Sequence, residues 1–317
     1  MAIREKYSSI DTAVSLSIVF SFREEVAGNG RNCGQVDLLT NLLSGRVIMT
    51  TKAKLTLTPE QETLLITLYA KAQPGNPLFF DPMAQDILKR VDYDFAQLHV
   101  PYKTVVLVCQ RAKKLDTVTR DFLVAYPNAI VLQLGCGLDS RFWRVDNGHV
   151  DWYDLDMPPV IDLRQQFFTA SGRYHLISTS VTDMEWMDTV KSDGRPVLVL
   201  AEGLLMYLSE ADVRQLVLRL QETFPGCRLI ADVFSQLTAR SATQHPSLKQ
   251  TGATIGWGID DARELETWAF GVRLLEEWYF TDDPDLARLS FGYRIAYKLA
   301  GAFKMAQKAH RIVYYQL

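Results

Sequence analysis

A regular alternation of short apolar runs with amphipathic stretches constrains the fold more than any other feature of the sequence. It begins at Ala129 and continues to the end of the chain. This pattern is typical of a parallel β-sheet covered by helices. The predicted strands are Ile130–Leu134, Val150–Asp154, Tyr174–Ser178, Pro196–Ala201, Cys227–Val233, Val272–Phe280 and Arg311–Leu317. The predicted helices between them are Pro158–Thr169, Ser209–Phe224 and Asp260–Trp268. The sequence therefore predicts an α/β fold with a sheet of about seven strands.

The residues before this core predict a helical cap over 55–128. Thr58 is placed as the N-cap of a first helix, with Pro59 at its first position and Gln61 completing a capping box. The pair Pro74-Gly75 ends that helix. The predicted helix Ser209–Phe224 has a similar start, because Ser209 and Asp212 have the capping-box spacing. Gly226 ends this segment.

Two further segments fall outside the alternation. Residues 235–257 are rich in Ser, Thr and Gln, and we expect a helical or loop insertion that covers the site as a lid. Residues 1–48 are interpreted as an N-terminal extension, with Met49 as a possible initiator. The other reading is a helix over Ser8–Val26 that packs its apolar stripe over the acceptor pocket. The remaining chain, 49–317, is predicted to be one domain with its sheet core at 129–234 and 258–317.

Composition excludes several classes of protein and partner. The 317 residues are 48% hydrophobic and 22% charged, with a formal charge of -3, which excludes a disordered chain. No long basic run is present, so nucleic acid and anionic membranes are not expected partners. No apolar run approaches the roughly 20 residues that span a bilayer. The four cysteines are far apart and form no CxxC pair, which indicates a reducing, cytoplasmic location.

The first strand runs directly into a glycine turn, Gly135-Cys136-Gly137. Glycine is needed where the backbone turns sharply and approaches a ligand closely. The third glycine of the dinucleotide pattern is absent, because position 140 is Ser. A nucleoside cofactor without phosphates therefore fits better than a dinucleotide.

Carboxylates follow about 20 residues later, at the end of the second strand. In a doubly wound sheet this is where a ribose diol would lie. The alternative is an acid that only caps the helix beginning at Pro158. We expect ribose binding by Asp156, whereas both readings stay open for Asp154.

Three motifs carry a resemblance to a known family. They are LQLGCGLDSRFWR at 132–144, YDLD at 153–156 and AEGLLMYL at 201–208. In order and spacing the chain resembles the leucine carboxyl methyltransferase family from about residue 55 to its end. One departure is Gln133, where many relatives carry Asn. The resemblance implies a class I methyltransferase, Rossmann-like doubly wound fold and S-adenosylmethionine as the cofactor.

The resemblance also implies site residues, two of them with an alternative. Gly135 and Gly137 would pass under the cofactor, and Asp156 would bind its ribose. The other implied contacts are Arg111 to the methionyl carboxylate, Ser180, Val181 and Asp183 to the adenine, and Glu202 to the sulfonium and amino groups. Alternatively, Arg111 is a solvated helix charge and Glu202 a buried helix-capping acid.

The loop after the glycines carries further polar residues. Arg141 and Arg144 are implied to brace this loop, the alternative being two exposed arginines at a helix start. Asp139 is interpreted as a local cap that holds the glycine turn.

Methyl transfer from a sulfonium mainly requires alignment of the nucleophile and exclusion of water. A carboxylate acceptor is already ionised, whereas a phenol with a pKa of about 10 would benefit from a general base. The sequence offers no compelling base, since each histidine is interpreted as structural or exposed, and no cluster has metal-ligand spacing. Tyr207 and Tyr102 are catalytic candidates by position only. Candidate acceptor contacts, also by position only, are Tyr69, Phe79, Phe80, Tyr102, Tyr207, Trp257 and Trp268.

The expected function is S-adenosylmethionine-dependent O-methylation of a carboxylate or hydroxyl on a small, polyketide-like metabolite. The alternatives are a protein C-terminal carboxyl methyltransferase and a non-catalytic cofactor-binding protein. An NAD or nucleotide-sugar enzyme is disfavoured by Ser140. The sequence makes no prediction of the oligomeric state.

Overall fold

Seven strands form one sheet in the computed structural model, which describes residues 53–54, 59–98, 100–242 and 255–317. Two short strands, β1 (Ala53–Lys54) and β2 (Val91–Asp92), pair separately in parallel. The strands of the large sheet are β3 (Ile130–Leu134), β4 (Asp151–Asp156), β5 (Tyr174–Ser178), β6 (Val197–Ala201), β7 (Arg228–Phe234), β8 (Arg273–Tyr279) and β9 (His310–Gln316). The spatial order is β5-β4-β3-β6-β7-β9-β8, parallel from β5 to β7 and antiparallel at β9 and β8. The predicted doubly wound sheet is confirmed, and each predicted strand matches to within two residues.

Helices cover both faces of this sheet. The α-helices of the described residues are α1 (Pro59–Lys71), α2 (Pro82–Arg90), α3 (Tyr102–Ala125), α4 (Arg141–Val145), α5 (Pro158–Arg164), α6 (Glu210–Thr223), α7 (Gln236–Ala242), α8 (Phe291–Gly301) and α9 (Lys304–Ala309). Short 3-10 helices of the described residues lie at Phe95–Leu98, Met184–Thr189, Leu205–Tyr207, Ala262–Thr267, Phe280–Asp282 and Pro284–Arg288. None of the helices in these described ranges is long and apolar enough to cross a membrane.

The helix predictions are partly confirmed. Ser209 caps α6 as predicted, since its Oγ accepts from Asp212 N at 3.1 Å and the Asp212 carboxylate accepts from Ser209 N at 3.4 Å. The helix predicted at Pro158–Thr169 ends early, at Arg164. Residues 165–167 form a turn. Phe168, which follows this turn, is buried and stacks on Trp143, with ring centroids 4.4 Å apart.

The helix predicted at Asp260–Trp268 is wrong in type. It is a 3-10 segment, Ala262–Thr267, which begins where the Asp261 carboxylate accepts from Arg263 N. A hydrophobic periodicity over so few residues does not distinguish a 3-10 turn from an α-helix.

Apolar side chains fill both faces of the sheet because successive strand residues point to opposite sides. Leu132 of β3 packs on the α6 side with Val213 and Leu216. Its neighbour Val131 packs on the α1 and α3 side with Leu115. All five residues of β3 are buried, so the strand ends at a fixed point in the interior. The loop that follows it is therefore held by a rigid element.

Several predictions fall outside the described residues. The chain divides into two units, 1–52 and 53–317, and every described residue lies in the second. The extension over 1–48, the Ser8–Val26 helix and the Thr58 cap all lie outside. Of the predicted lid at 235–257, the structure describes α7 and residues 255–257. The predicted division into extension, cap, core and lid stays a prediction.

Candidate functional site

The strand order creates a crevice at the carboxyl edge of the sheet. The sheet grows outward from β3 and β6, which are adjacent, in opposite directions. In open α/β sheets, ligands bind at such a switch point, outside the carboxyl ends of the strands. Gly135 follows β3 and Glu202 follows β6, so the two predicted motifs meet at this edge.

The glycine loop has a conformation that favours glycine. Gly135 has φ +63° and Gly137 has φ +52°, a region that other residues rarely adopt. A Cβ at Gly137 would lie 3.0 Å from Leu64 Cδ2, and one at Gly135 would lie 3.1 Å from Leu204 Cδ1. Both glycines are thus required by conformation and by close neighbours.

Asp156 is joined to this loop by hydrogen bonds. Its Oδ2 accepts from Gly137 N at 2.7 Å, and its Oδ1 accepts from Met157 N at 2.8 Å. Each carboxylate oxygen can accept more than one hydrogen bond, so further donors can still be received. Burial raises the pKa of this carboxyl above its ordinary value. Hydroxyl donors would favour its ionised form.

The contacts of Asp154 agree with neither of the two roles considered for it, ribose binding and capping of α5. It is fully buried, and its carboxylate pairs with Arg164 and accepts from Tyr174 Oη at 2.6 Å and Trp152 Nε1 at 2.8 Å. Arg164 in turn donates to two carbonyls of the glycine loop, Gly137 O at 2.8 Å and Asp139 O at 2.7 Å. Asp154 therefore neither caps α5 nor faces the ribose position, but orients an arginine that holds the loop.

A charged cluster connects the helical cap with the carboxyl edge. It contains five carboxylates and four cations, all buried or nearly so: Lys71, Asp81, Arg111, Asp116, Asp139, Arg141, Arg144, Glu202 and Asp232. With every member ionised, this cluster carries one net negative charge. Breaking one such buried pair typically costs roughly 3 to 5 kcal/mol, so the cluster fixes the cap on the sheet.

Arg111 lies on α3 between two carboxylates of the sheet. Its Nε donates to Glu202 Oε1 at 3.0 Å, and its Nη1 donates to Asp232 Oδ2 at 2.9 Å. Burial alone would lower the pKa of the Arg111 guanidinium, but Asp232 and Glu202 outweigh burial and raise it. The side chain is only 11% exposed. The reading of Arg111 as a solvated helix charge is wrong.

Glu202 is held by two arginines. Its Oε1 accepts from Arg111 and its Oε2 from Arg141. Burial alone would raise the pKa of this carboxyl, but the charges of Arg141 and Arg111 outweigh it and keep the pKa below its ordinary value. The alternative of a helix-capping acid is wrong, because the recorded partners of the carboxylate are guanidinium groups.

Arg141 and Arg144 are not exposed arginines. Arg141 is fully buried, and both donate to Asp116 of α3, at 2.7 and 2.8 Å. Both also approach Asp139, with Arg144 Nη1 at 2.8 Å and Arg141 Nη2 at 3.2 Å from the carboxylate. Asp139 is thus wrongly interpreted as a local cap. It is an ion-pair partner that connects the glycine loop to the cap, with Lys71 Nζ at 3.3 Å.

The predicted adenine segment follows β5 as expected. Ser180 Oγ lies 2.8 Å from Thr182 Oγ1, and Asp183 accepts from Thr179 Oγ1 at 3.0 Å. Val181 is buried in the core beside Trp186. The side chains of Ser180 and Asp183 therefore form local turns at this edge of the sheet, on the β4 and β5 side.

The two tyrosine candidates lie on different elements. Tyr207 follows β6 and Tyr102 begins α3, where it packs edge-to-face on Tyr293 at 5.1 Å. Burial raises the pKa of both phenols. Both are neutral at neutral pH, which makes them poor general bases.

Four of the seven candidate acceptor contacts fall into two groups, while the acceptor role of Phe79, Phe80 and Tyr207 stays a prediction. Tyr69 and Tyr102 line a cavity of about 310 Å³ together with Asn76 and Val105. Trp257 and Trp268 are core residues instead, since they are 5% and 9% exposed and pack on each other. The proposed acceptor role of those two tryptophans is wrong.

Sequence reasoning missed several members of the site. Asp232 interrupts the apolar run of β7, which is the same signal that singled out Glu202. His310 was interpreted as structural or exposed, but its Nε2 lies 2.7 Å from Asp232 Oδ2. Lys71 and Asp116 carry no local signal, because their partners lie elsewhere in the chain. No group of His, Cys, Asp and Glu among the described residues is arranged to hold a metal ion.

The relatives found by comparison with known proteins are methyltransferases. The family model for leucine carboxyl methyltransferase matches residues 63–221. The tetracenomycin polyketide synthesis O-methyltransferase TcmP of Streptomyces glaucescens is 42% identical over 236 residues, 73% of this chain and 87% of that protein. The S-adenosyl-L-methionine-dependent methyltransferase dpfgK of Gibberella zeae is 32% identical over 258 residues, 73% of this chain and 86% of that protein.

Solved structures of low sequence identity share the fold. A DUF574 family protein from Streptomyces avermitilis is 12% identical with a TM-score of 0.53, covering 81% of this chain and 99% of its own. A candidate methyltransferase from Thermobifida fusca is 18% identical with a TM-score of 0.50, covering 80% of this chain and 93% of its own. At these identities the likeness concerns the fold alone.

Proposed function

The chain belongs to the leucine carboxyl methyltransferase family, and from that premise we propose that it is an O-methyltransferase of a small, polyketide-like acceptor. Its fold is the class I methyltransferase fold and its cofactor is S-adenosylmethionine. The O-methylation and the acceptor class rest on the relative TcmP, whose name gives both.

The observation that carries the proposal is the meeting of the glycine loop, Asp156 and the charged cluster at one edge of the sheet. Gly135 and Gly137 leave a backbone surface without side chains, which suits the close approach of a nucleoside. Asp156, whose oxygens can accept further hydrogen bonds, suits the ribose diol. The residues of this chain therefore fit the cofactor.

The amino-acid end of the cofactor would lie on the β6 side of Asp156. Arg111 donates to Glu202 through Nε and to Asp232 through Nη1, and its third nitrogen, Nη2, can donate to the methionyl carboxylate. Its partners Glu202 and Asp232 can accept from the ammonium group. The cluster carries one net negative charge, and the cofactor, with its sulfonium, ammonium and carboxylate, carries one net positive charge. This complementarity supports binding at the cluster.

The bound cofactor supplies an electrophilic methyl group on sulfur. The chain's own task is to align the acceptor oxygen with that methyl and to exclude water. The adenine would lie on the β5 side, next to Ser180, Val181 and Asp183. The rigid ends of β3, β4 and β6 would then hold the donor in one orientation.

An aromatic acceptor fits the cap side of the site. The cavity of about 310 Å³ is lined by Tyr69 and Tyr102, and its Asn76 Nδ2 donates to Cys109 Sγ at 3.2 Å. The charges of Lys71 and Glu202 act on the Cys109 thiol, so this cavity borders the charged cluster. The tyrosine rings offer stacking surfaces for a planar polycyclic molecule.

The test uses S-adenosylmethionine carrying an isotope label in its methyl group. The full chain is incubated with this donor and an extract of polyketide-producing cells, and label is counted separately in small molecules and in proteins. We expect label in methyl ethers or esters of small aromatic molecules. Label only on protein C-termini would favour the protein carboxyl methyltransferase, and donor binding without any transfer would favour a non-catalytic protein. Either result contradicts the proposal.

A further inference from the structure

Helix α8 is held on the helical cap by its inner face. Tyr293 packs edge-to-face on Tyr102 of α3, with ring centroids 5.1 Å apart, and Tyr297 Oη donates to Gln110 Oε1 at 3.0 Å. Residues four apart lie on the same side of a helix, so these two tyrosines define the inner face. Tyr102 also lines the cavity of about 310 Å³. Helix α8 therefore lies beside the proposed acceptor cavity.

The outer face of α8 is a line of exposed apolar side chains. Phe291, Ile295 and Leu299 follow each other at intervals of four residues and are 73%, 42% and 51% exposed. Phe303, just after the helix, is 57% exposed. Single exposed apolar residues are common on proteins, whereas a contiguous apolar patch marks an interaction surface. We refer to these four side chains as the α8 ridge.

Three cations border the α8 ridge. Arg294 and Lys298 each lie three residues after a ridge residue, so they are its neighbours on the helix surface. Lys304 begins α9, directly after the ridge. All three are exposed, and none of them has an ion-pair partner in the part of the chain that the structure describes.

The positive charge beside the ridge is not balanced by its own segment of the chain. After Asp285 the sequence contains no Asp or Glu, although the whole protein has a formal charge of -3. Asp285 itself pairs with Lys113 and Arg288. The absence of a long basic run argues against an anionic membrane as a partner, but these cations are spread over 294–304. Only the folded helix places them beside one apolar ridge.

A positive apolar ridge fits an anionic lipid surface better than a second copy of this chain. In a two-fold dimer a patch meets its own copy, so the cations of one ridge would face those of the other. A helix that lies on a membrane has large apolar side chains on one face and Lys or Arg beside them, which contact anionic head groups. An acidic protein would have to match both ridge and cations in register, whereas a lipid surface needs no register.

We propose that the α8 ridge docks this protein on an anionic lipid surface. The four ridge side chains enter the boundary between head groups and acyl chains, and Arg294, Lys298 and Lys304 bind the head-group phosphates. This orientation brings the cavity beside α8 close to the lipid. An apolar polycyclic acceptor dissolves in lipid, so docking would bring the cavity to a source of acceptor. That last step rests on the proposed function, whereas the docking itself does not.

The test measures co-sedimentation of the full chain with lipid vesicles. One set contains equal parts of phosphatidylglycerol and phosphatidylcholine, and the other contains phosphatidylcholine alone. We expect binding at least about 10-fold tighter to the anionic set, weakened by added salt. Arg294→Gln combined with Lys298→Gln should lower that affinity by roughly 30-fold, since each cation near an anionic surface contributes about a factor of five.

The matched control removes the same charge elsewhere. Arg219→Gln combined with Arg263→Gln replaces two surface arginines that each pair with a glutamate three residues on. This control should change the affinity for anionic vesicles by less than about 3-fold, because charges distant from the contact are screened.

A second pair of variants tests the apolar part. Phe291→Gln combined with Leu299→Gln should lower the affinity for anionic vesicles by roughly 10-fold or more, because two large apolar side chains no longer leave water. Phe270→Gln is the control, since Phe270 is fully exposed on a turn before β8. In all of these variants the calorimetric Kd for S-adenosylmethionine and methyl transfer to a water-soluble acceptor should stay at the wild-type values.

Several results would overturn the inference. They are the absence of binding to anionic vesicles, wild-type affinity in both double variants, and binding of soluble polyglutamate as tightly as the vesicles, which would indicate an acidic protein. A dimer in light scattering that Phe291→Gln with Leu299→Gln dissociates would assign the ridge to a second copy. Vesicle binding without any methyl transfer would contradict only the proposed function, so the two failures are distinguishable.

Discussion

Asp156 offers a sharp test at the scale of one residue. Its carboxylate accepts from two backbone N–H groups, and asparagine keeps only one acceptor oxygen at that position. We expect Asp156→Asn to weaken S-adenosylmethionine binding by about 1.5 to 3 kcal/mol, the range for hydrogen bonds to a charged group. This corresponds to roughly 10- to 150-fold in Kd.

Calorimetric titration measures the change, with Asp162→Ala as the control because Asp162 is an exposed acid on neighbouring α5. The control should bind the donor like the wild type. An unchanged Kd for Asp156→Asn would remove Asp156 from the ribose site.

Arg111 should report on both binding and stability. Removal of its guanidinium leaves Glu202 and Asp232 buried without their common partner, so Arg111→Ala should lower the free energy of unfolding by roughly 3 to 5 kcal/mol. It should also weaken donor binding. Arg111→Lys should recover only part of either loss, because one ammonium cannot reproduce a fork of donors.

Urea unfolding and calorimetry provide the two measurements. Arg120→Ala, on the same helix and 51% exposed, should cost less than about 1 kcal/mol. If Arg111→Ala matched this control in stability and bound the donor normally, Arg111 would have neither role.

At the residue scale the sequence predicts the groups that stand out locally. Gly135 and Gly137 follow a strand, and Glu202 interrupts an apolar run, so each is visible without its partners. The role of Asp154 is not visible, because it depends on Arg164 and on Tyr174, which lies 20 residues away. Asp116 and Lys71 are missed for the same reason. An ion pair across the fold leaves no periodicity in the sequence.

Among the helices and strands, α6 allows a change in stability to be tested apart from donor binding, through its capping box. Ser209 Oγ accepts from Asp212 N, satisfying one of the free N–H groups at the helix start. Ser209→Ala should therefore lower the free energy of unfolding by about 1 kcal/mol.

Chemical denaturation checks this value, and Ser209→Asp serves as the control because aspartate also caps helices well. Donor affinity should stay at the wild-type value in both variants. A loss of donor affinity in Ser209→Ala with unchanged stability would show that the α6 start belongs to the site.

Elements with strong local signals are the ones that the sequence predicts correctly. The seven strands and α6 have apolar periods, caps or glycine stops that agree with their tertiary packing. The short segments fail, since Asp260–Trp268 forms a 3-10 turn and α5 ends at Arg164 so that Phe168 can be buried. In both, tertiary contacts decide the conformation of a few residues with weak preference.

For the whole molecule, the charged cluster predicts loss of stability in acid. Burial would raise the pKa of Asp116, Asp139, Glu202 and Asp232, but the surrounding arginines outweigh it, so each folded-state pKa lies below the unfolded value. A depressed carboxyl pKa contributes stability above the unfolded pKa of about 4, and this contribution disappears as pH falls toward the folded value.

The free energy of unfolding should therefore fall steeply below about pH 4, the unfolded-state carboxyl pKa. Urea titrations from pH 7 to pH 3 measure it. Glu202→Gln should be less stable than the wild type at pH 7 and should show a shallower decline in acid, because one of the titrating groups is gone. A wild-type free energy that stays level between pH 6 and pH 3 would contradict the account of the cluster.

The overall architecture is predictable because the alternation of strands and helices spans about three fifths of the chain and leaves few topologies. The position of the helical cap on the sheet is not predictable from the sequence, because it depends on ion pairs such as Arg111 with Asp232, which are 121 residues apart. Function thus depends most on the contacts that sequence patterns show least.

The proposed function requires that the carboxyl edge of β3, β4 and β6 holds the methyl donor. A crystal structure of the full chain with S-adenosylhomocysteine tests it most directly. We predict ribose hydroxyls on the Asp156 carboxylate, the nucleoside against Gly135 and Gly137, and the homocysteine carboxylate on the Arg111 guanidinium. A ligand bound elsewhere, with Arg111 still paired only to Glu202 and Asp232, would contradict the account.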